Sequence, residues 1–298
     1  MNKNIKLLLL GIIILVYQVS GLYAGEPKKA AVFLSDTIKP YYEAAQGLET
    51  ELKNNKINVK VIEIKNLDLM EFRSICQDLI KEGYVYWAGI GPLAMNKIYD
   101  YHLPEVAGRV YSMVLAPEKI VNQGDTLCGV SLKISVEEQV RQLIQVFSPA
   151  VRPGIIYDPE YNSLFAEQAF LGFQKYNIKL KLLKVNSKAD VPDVLSRGIK
   201  NVNLLWMIPD QTVISESLIR YIIKNSIKQG IGVVGYNRFF LKQGAAASFV
   251  INYGKVGIQT ARILIELMHR NTCRSSDPSF ELNVNEALIE MLNLNKEP

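Results

Sequence analysis

Short apolar runs alternate with longer amphipathic stretches along this chain. Lys29–Leu34 reads as a strand and Pro40–Asn54 as a helix. Ile57–Ile64 alternates Val and Ile with Lys and Glu, the pattern of a half-buried strand. Leu67–Lys81 has helical periodicity, and Tyr84–Ala88 is a further apolar run. Pro92–Tyr101 reads as a helix with proline in its first turn, where the missing N–H does no harm. Val110–Leu115 is a fourth strand. Strands and helices alternating at this spacing predict βαβ units and a mostly parallel sheet.

The pattern then starts again. Val130–Leu132 is a short extended piece, and Ser135 followed by Glu137 and Glu138 marks a helix start running to Phe147. Strands follow at Gly154–Tyr157, Leu180–Val185, Val202–Met207 and Ile231–Val234, with helices between. Two strands run into polar turns, Pro209-Asp210-Gln211-Thr212 and Gly235-Tyr236-Asn237. After the second come a short turn at Phe239–Lys242 and a strand at Ala246–Ile251. Beyond the polar loop Asn271–Ser279, a last strand at Glu281–Val284 leads into a helix ending at Leu292. Each series is long enough for one Rossmann-like lobe, so the predicted class is α/β with two lobes. In open α/β sheets ligands bind beyond the carboxyl ends of the strands, which directs attention to those polar turns.

The N-terminus stands outside this pattern. Lys3 and Lys6 precede an apolar core at Leu7–Val16, and Gly21–Ala24 offers a cleavage point after Ala24. This is the layout of a secretory signal over residues 1–24, and Gln18 and Ser20 interrupt the run short of a membrane span. No cysteine lies near the cut, so no lipid attachment is expected, and the address is periplasmic or otherwise secreted. Without Lys3 and Lys6 the formal charge falls from +5 to +3. Lys and Arg are scattered with no aromatic-interleaved basic stripe, which argues against a nucleic-acid partner. Cys76, Cys128 and Cys273 form no metal-binding spacing. An odd count leaves at least one thiol unpaired, and a Cys128–Cys273 bridge is allowed without being implied. Cys76 falls in an amphipathic helix, where it reads as a small buried apolar residue.

Catalytic patterns are missing. His102 and His269 have no Cys or His partner at ligand spacing, and there is no Walker loop, G-x-S-x-G elbow or H-E-x-x-H. Asp36, Asp158 and Asp210 each follow a strand but belong to two series, which argues against a shared magnesium site. Asp158 and Glu160 read as a helix cap and first-turn acid more readily than as a catalytic pair. Gly89-Ile90-Gly91-Pro92-Leu93-Ala94 matches G-x-G-x-x-A, but on the third strand and without a ribose-binding acid after the next. Its glycines suit a tight turn or a backbone N–H site for an anionic group. No cofactor is expected.

These residues resemble those of the ABC-transporter substrate-binding proteins of the type I periplasmic fold, in the group that includes tryptophan- and tyrosine-binding members. The resemblance is carried by AGIGPLAMNKI (88–98), GVSLKISVEEQVRQLIQVFSPAVRPGIIYDPEYNS (129–163), LLWMIPDQTV (204–213), VVGYNRFFLKQGAAASFVINYGKVGIQTARILIEL (233–267) and FELNVNEALIEMLNL (280–294). It implies two Rossmann-like lobes joined by three crossovers, one lobe from 28–130 and 237–279, the other from 131–236 and 280–298. It also implies a ligand-binding function without catalysis: a monomer that takes a small molecule, such as an amino acid or aromatic metabolite, into the cleft by hinge closure and delivers it to a membrane permease. The binding residues it implies lie at the strand mouths. In the first lobe these are Ser35 and Asp36, Gly89, Ile90 and Gly91, and Leu115 and Ala116. In the second they are Tyr157, Asp158, Tyr161, Asn162 and Ser163, then Pro209 and Asp210, then Tyr236 and Asn237. By position, Gly89–Gly91 would hold an acidic group, Tyr161 and Tyr236 would sandwich an apolar body, and Asp210 would pair with an amine. The family often has Asp-Pro after the fourth strand, where this chain has Ala116-Pro117, so an amine contact there does not carry over. An exported sensing module docking on a signalling partner, or a metal-dependent enzyme on the same scaffold, are the alternative readings.

Overall fold

The structure is a computed structural model that describes residues 28–101, 103–121, 126–147 and 151–294. The leader over residues 1–24 and His102 lie outside the described residues. In chain order, the first series comprises β1 (Lys29–Leu34), α1 (Lys39–Asn54), β2 (Asn58–Glu63), α2 (Leu69–Lys81), β3 (Tyr86–Ile90), α3 (Pro92–Asp100), β4 (Gly108–Val114) and β5 (Gly129–Ser131). The second comprises α4 (Val136–Val146), β6 (Pro153–Tyr157), α5 (Pro159–Gln174), β7 (Lys181–Lys184), β8 (Leu204–Met207), α6 (Glu216–Lys228), β9 (Gly232–Gly235), α7 (Arg238–Lys242) and β10 (Ala247–Ile251). The chain closes with α8 (Tyr253–Arg270), β11 (Ser275–Ser276), β12 (Phe280–Val284) and α9 (Glu286–Met291).

Local chemistry sets the helix starts. Asp68 accepts from Glu71 N–H at 2.8 Å while Glu71 Oε2 accepts from Asp68 N–H at 2.9 Å, a reciprocal cap that opens α2. Asp158, Asn237 and Asn252 cap α5, α7 and α8 in the simpler one-way manner.

The strands form two six-stranded sheets, in the orders β11-β5-β4-β3-β1-β2 and β12-β10-β9-β8-β6-β7. The first is parallel throughout, and the second is parallel apart from the antiparallel β10–β12 pair. Helices cover both faces of each sheet, giving two apolar layers per lobe. This is why central strands such as Leu204–Met207 are buried along their whole length.

One boundary differs from expectation. The segment 237–251 belongs to the second lobe, not the first. β10 pairs with β9 and β12, and Phe240 sits in the second lobe's core. Ser248 Oγ donates to Asn237 carbonyl oxygen at 2.7 Å, fastening the strand to the turn before it. The chain returns to the first lobe only after Ile251, where α8 packs on α1 and β4. Thr260 Oγ1 on α8 and Ser112 Oγ on β4 are hydrogen-bonded at 2.8 Å.

The lobes are joined by three crossovers, at 132–135, 252 and 277–279. They are tied to one another. Ser135 N–H donates to Asp277 Oδ2 at 2.8 Å, and Asn252 N–H to Ser279 carbonyl oxygen at 2.9 Å. Gln259 on α8 accepts from Ser279 N–H at 2.7 Å and donates to Asp277 carbonyl oxygen at 3.3 Å.

Cys128 and Cys273 are joined as a disulfide, linking the residue before β5 to the segment before β11. Cys76 is a buried free thiol, and burial pushes its ionisation up to about 12. It is an inert packing residue.

Candidate functional site

The carboxyl ends of the parallel strands in each sheet carry the residues singled out from sequence. The closest-knit group is in the second lobe. Asp158, after β6, is 3% exposed and Asp210, after β8, is 1% exposed. Asp210 Oδ2 accepts from Asp158 N–H at 2.8 Å and Asn162 Nδ2 at 2.7 Å, while Oδ1 accepts from Thr212 N–H at 2.9 Å. Asp158 in turn accepts from Glu160 N–H at 2.9 Å and Thr212 Oγ1 at 2.6 Å. Asn162 reaches Asp210 because its own backbone breaks the helix, at φ −131° and ψ 21°. The two carboxylates therefore lock the mouths of β6 and β8 together through neutral donors. Exchanging Asp210 for Asn puts an amide where two donors converge. Asp210→Asn is expected to cost about 2 kcal/mol in urea unfolding, the usual penalty for orphaned buried donors. An unchanged midpoint would show that the lock carries no stability.

Two tyrosines lie within electrostatic reach of this pair. Glu160 raises the Tyr161 phenol, followed by desolvation and then by the charges of Asp158 and Asp210. Burial raises Tyr236, and Asp210 adds to it. Tyr161 is 50% exposed at the start of α5, whereas Tyr236 lies against Phe240 with ring centroids 4.7 Å apart.

The first lobe's mouth is built differently. Gly91 has φ +88°, and a side chain there would strike Ser35 Oγ and the Tyr41 ring. Its N–H donates to Ser112 carbonyl oxygen at 2.8 Å, and Ala94 N–H donates to Ser35 Oγ at 2.8 Å. Pro92 has no N–H. The turn expected to hold an acidic group is thus closed by its own neighbours, and Gly89 and Ile90 are buried within β3. Asp36 is engaged with Lys65 at 2.8 Å and with Thr37 N–H, and the Lys65 partner holds its carboxyl below the usual range. At β4 a bulge between Ser112 and Val114, with Met113 at φ +61°, precedes Leu115, which is 61% exposed. Ala116 is half-buried beside it. Among the other expected contacts, Tyr157 is buried in the second lobe's core, while Ser163 and Pro209 are exposed.

A pocket of about 330 Å³ lies beside the second crossover and is walled by both lobes. Lys39, Pro40 and Glu43 come from α1, Tyr236 to Phe239 from the β9 mouth, and Val250 to Tyr253 from the β10 mouth. Only Tyr236 and Asn237 of the expected binding residues line it. Arg238, Phe239, Tyr253 and Glu43 line it too and are not among the expected contacts. Tyr253 follows β10, so the strand-mouth rule applied with the correct lobe boundary would have found it. Among the described residues no group of three or more His, Cys, Asp or Glu is arranged to hold a metal, and no helix is long and apolar enough to cross a membrane.

The profile of the family described as ABC transporter substrate binding protein matches residues 111–293, more than half of the chain. No curated protein sequence matches it. Among solved structures, a ligand-free, open substrate-binding protein with adhesive properties from Clostridium difficile superposes with a TM-score of 0.70 at 18% identity, over 91% of this chain and 96% of that one. A conserved domain protein from Vibrio cholerae gives 0.53 at 21% identity over 91% and 96%. A Streptococcus pneumoniae ABC domain in complex with L-Trp gives 0.53 at 15% identity over 90% and 95%. At these identities the structural likeness speaks for the fold, that of periplasmic binding proteins, while the family follows from the profile match. Proteins of this family bind substrates. The resemblance read from the sequence thus holds, and the chain belongs to the ABC transporter substrate-binding protein family.

Proposed function

We propose that this protein is an extracytoplasmic receptor of an ABC importer that captures a small ligand between its lobes by hinge closure and delivers it to a membrane permease. The observation that carries the reading is the pocket walled by both lobes at the second crossover, with Tyr236, Phe239 and Tyr253 offering aromatic surface. Such a mixture of aromatic walls and a few polar groups fits a small organic ligand with an apolar body, an amino acid or aromatic metabolite. The three laced crossovers supply a hinge about which two separately cored lobes can rotate as rigid bodies. The Cys128–Cys273 disulfide supports an oxidising compartment, in keeping with the leader read at residues 1–24.

A thermal-shift screen of the purified mature protein against amino acids and aromatic metabolites tests this. A stabilising ligand should also contract the molecule in small-angle scattering. Tyr236→Ala removes one aromatic wall and should weaken that ligand by about tenfold or more, the scale of one lost aromatic contact. If no compound stabilises the protein and native mass spectrometry finds no copurifying ligand, the reading is wrong.

A further inference from the structure

The cleft has several groups of the kind that receive an anion, and many of them are already engaged. At α3, the Gly91 and Ala94 N–H groups donate to Ser112 and Ser35. At α5, Glu160 N–H donates to the Asp158 side chain, and Tyr161 and Asn162 N–H to its carbonyl oxygen. At α7 and α8, Phe239 and Lys255 N–H groups donate to their own Asn caps. The cations follow the same pattern. Lys65 is paired with Asp36 at 2.8 Å, and Lys39, the other cation lining the pocket, with Glu43 at 3.7 Å.

Arg238 is the exception. It lines the pocket between the lobes, and among the described residues its guanidinium makes no hydrogen bond or ion pair. Its position is fixed from both sides, because Asn237 caps the short α7 and Phe240 anchors that helix in the core. Tyr253 stands near enough to feel both the Arg238 charge and the opposite charge of Glu43 from the other lobe. The pocket therefore presents one uncommitted guanidinium beside aromatic surface.

We propose that Arg238 is the specificity-determining residue of this pocket, receiving a carboxylate on the ligand while the ligand's apolar body lies against Tyr236 and Tyr253. A guanidinium takes a carboxylate through two parallel N–H···O bonds, so it selects for that group by geometry as well as charge. This relocates the acidic-group site from the Gly89–Gly91 turn to the mouth of β9. It rests on the cleft reading above.

The test uses trios that keep the aromatic body and carbon chain and vary only the charged groups: phenylalanine, phenethylamine and 3-phenylpropanoate, and tryptophan, tryptamine and indole-3-propanoate. Binding is measured by calorimetry on the wild-type mature protein, Arg238→Gln and Arg238→Lys. The carboxylate-bearing members should bind the wild type, and Arg238→Gln should weaken them by about tenfold to a hundredfold, the range for a charge-assisted hydrogen bond. Arg238→Lys should recover part of that loss. Amines should bind the wild type weakly and the variant no worse. An unchanged carboxylate affinity in Arg238→Gln, or preference for the amines, overturns the role of Arg238 while leaving the cleft as the binding site. If no member binds the wild type, the carboxylate assignment falls. The copurification experiment then decides separately whether the cleft binds another ligand. Because Arg238 is exposed, an unaltered unfolding midpoint verifies that the variant is folded.

Discussion

Gly257→Ala is expected to destabilise the protein by about 3 kcal/mol, the upper range for overpacking a tight contact. Gly254→Ala, one turn earlier in the same helix, should be neutral or slightly stabilising. The difference lies in what each new methyl group meets. At Gly257 it would sit 1.9 Å from Ala44 carbonyl oxygen on α1. The obstacle is backbone, so no side chain can swing aside and α1 and α8 must separate. The facing position repeats the arrangement, since a methyl on Gly47 would lie 2.1 Å from Gly254 carbonyl oxygen. A methyl on Gly254 itself meets nothing closer than 3.7 Å and gains the helical preference of alanine, up to about 1 kcal/mol. Urea unfolding followed by circular dichroism separates the two variants. Equal midpoints would show that the helices slide apart without penalty. Since α8 also carries Tyr253 into the pocket, Gly257→Ala should weaken ligand binding as well.

Loss of the Cys128–Cys273 disulfide should have the largest effect on stability. The two cysteines are 145 residues apart, and the chain-entropy relation assigns a loop of that length about 5 kcal/mol. The Cys128→Ser, Cys273→Ser double variant and the fully reduced wild type should show the same lowered melting temperature. Alkylation in the native state should label neither bonded cysteine, and Cys76 should stay slow because it is buried with its ionisation pushed up to about 12. If confirmed reduction leaves the melting temperature unchanged, the bond does not constrain the unfolded chain as argued.

Most strands were legible because hydrophobic period is a local property. Lys29–Leu34 and Gly154–Tyr157 fall within one residue of their bounds in the structure. The pairing of strands is not local, and hydrophobic period does not determine it. Ala246–Ile251 was recognised as a strand, yet nothing in its own alternation says which sheet it joins. The deciding contacts are Phe240 in the core and Ser248 on Asn237, both between elements. β11 was hidden in a polar loop because two serines at a sheet edge carry no apolar signal. At the site, Asp158 was rightly read as a helix cap, since cap chemistry depends on residues two or three apart. The closure of the Gly91 turn was invisible, because it depends on Ser35 and Ser112, far along the chain. Asp210 likewise lies 52 residues from the backbone N–H it holds.

The disulfide also fixes an order of events. The first lobe is made of two stretches of chain with almost all of the second lobe between them, and the bond joins those stretches. As the polypeptide grows from its N-terminus, Cys128 has no partner until Cys273 has emerged. By then the segments of β1 to β10 and α8 have emerged, and the second lobe lacks only those of β12 and α9. The bond therefore cannot guide the early strands into register. Until it forms, the two stretches of the first lobe are held together by noncovalent packing alone, chiefly the sheet and the α1–α8 contact.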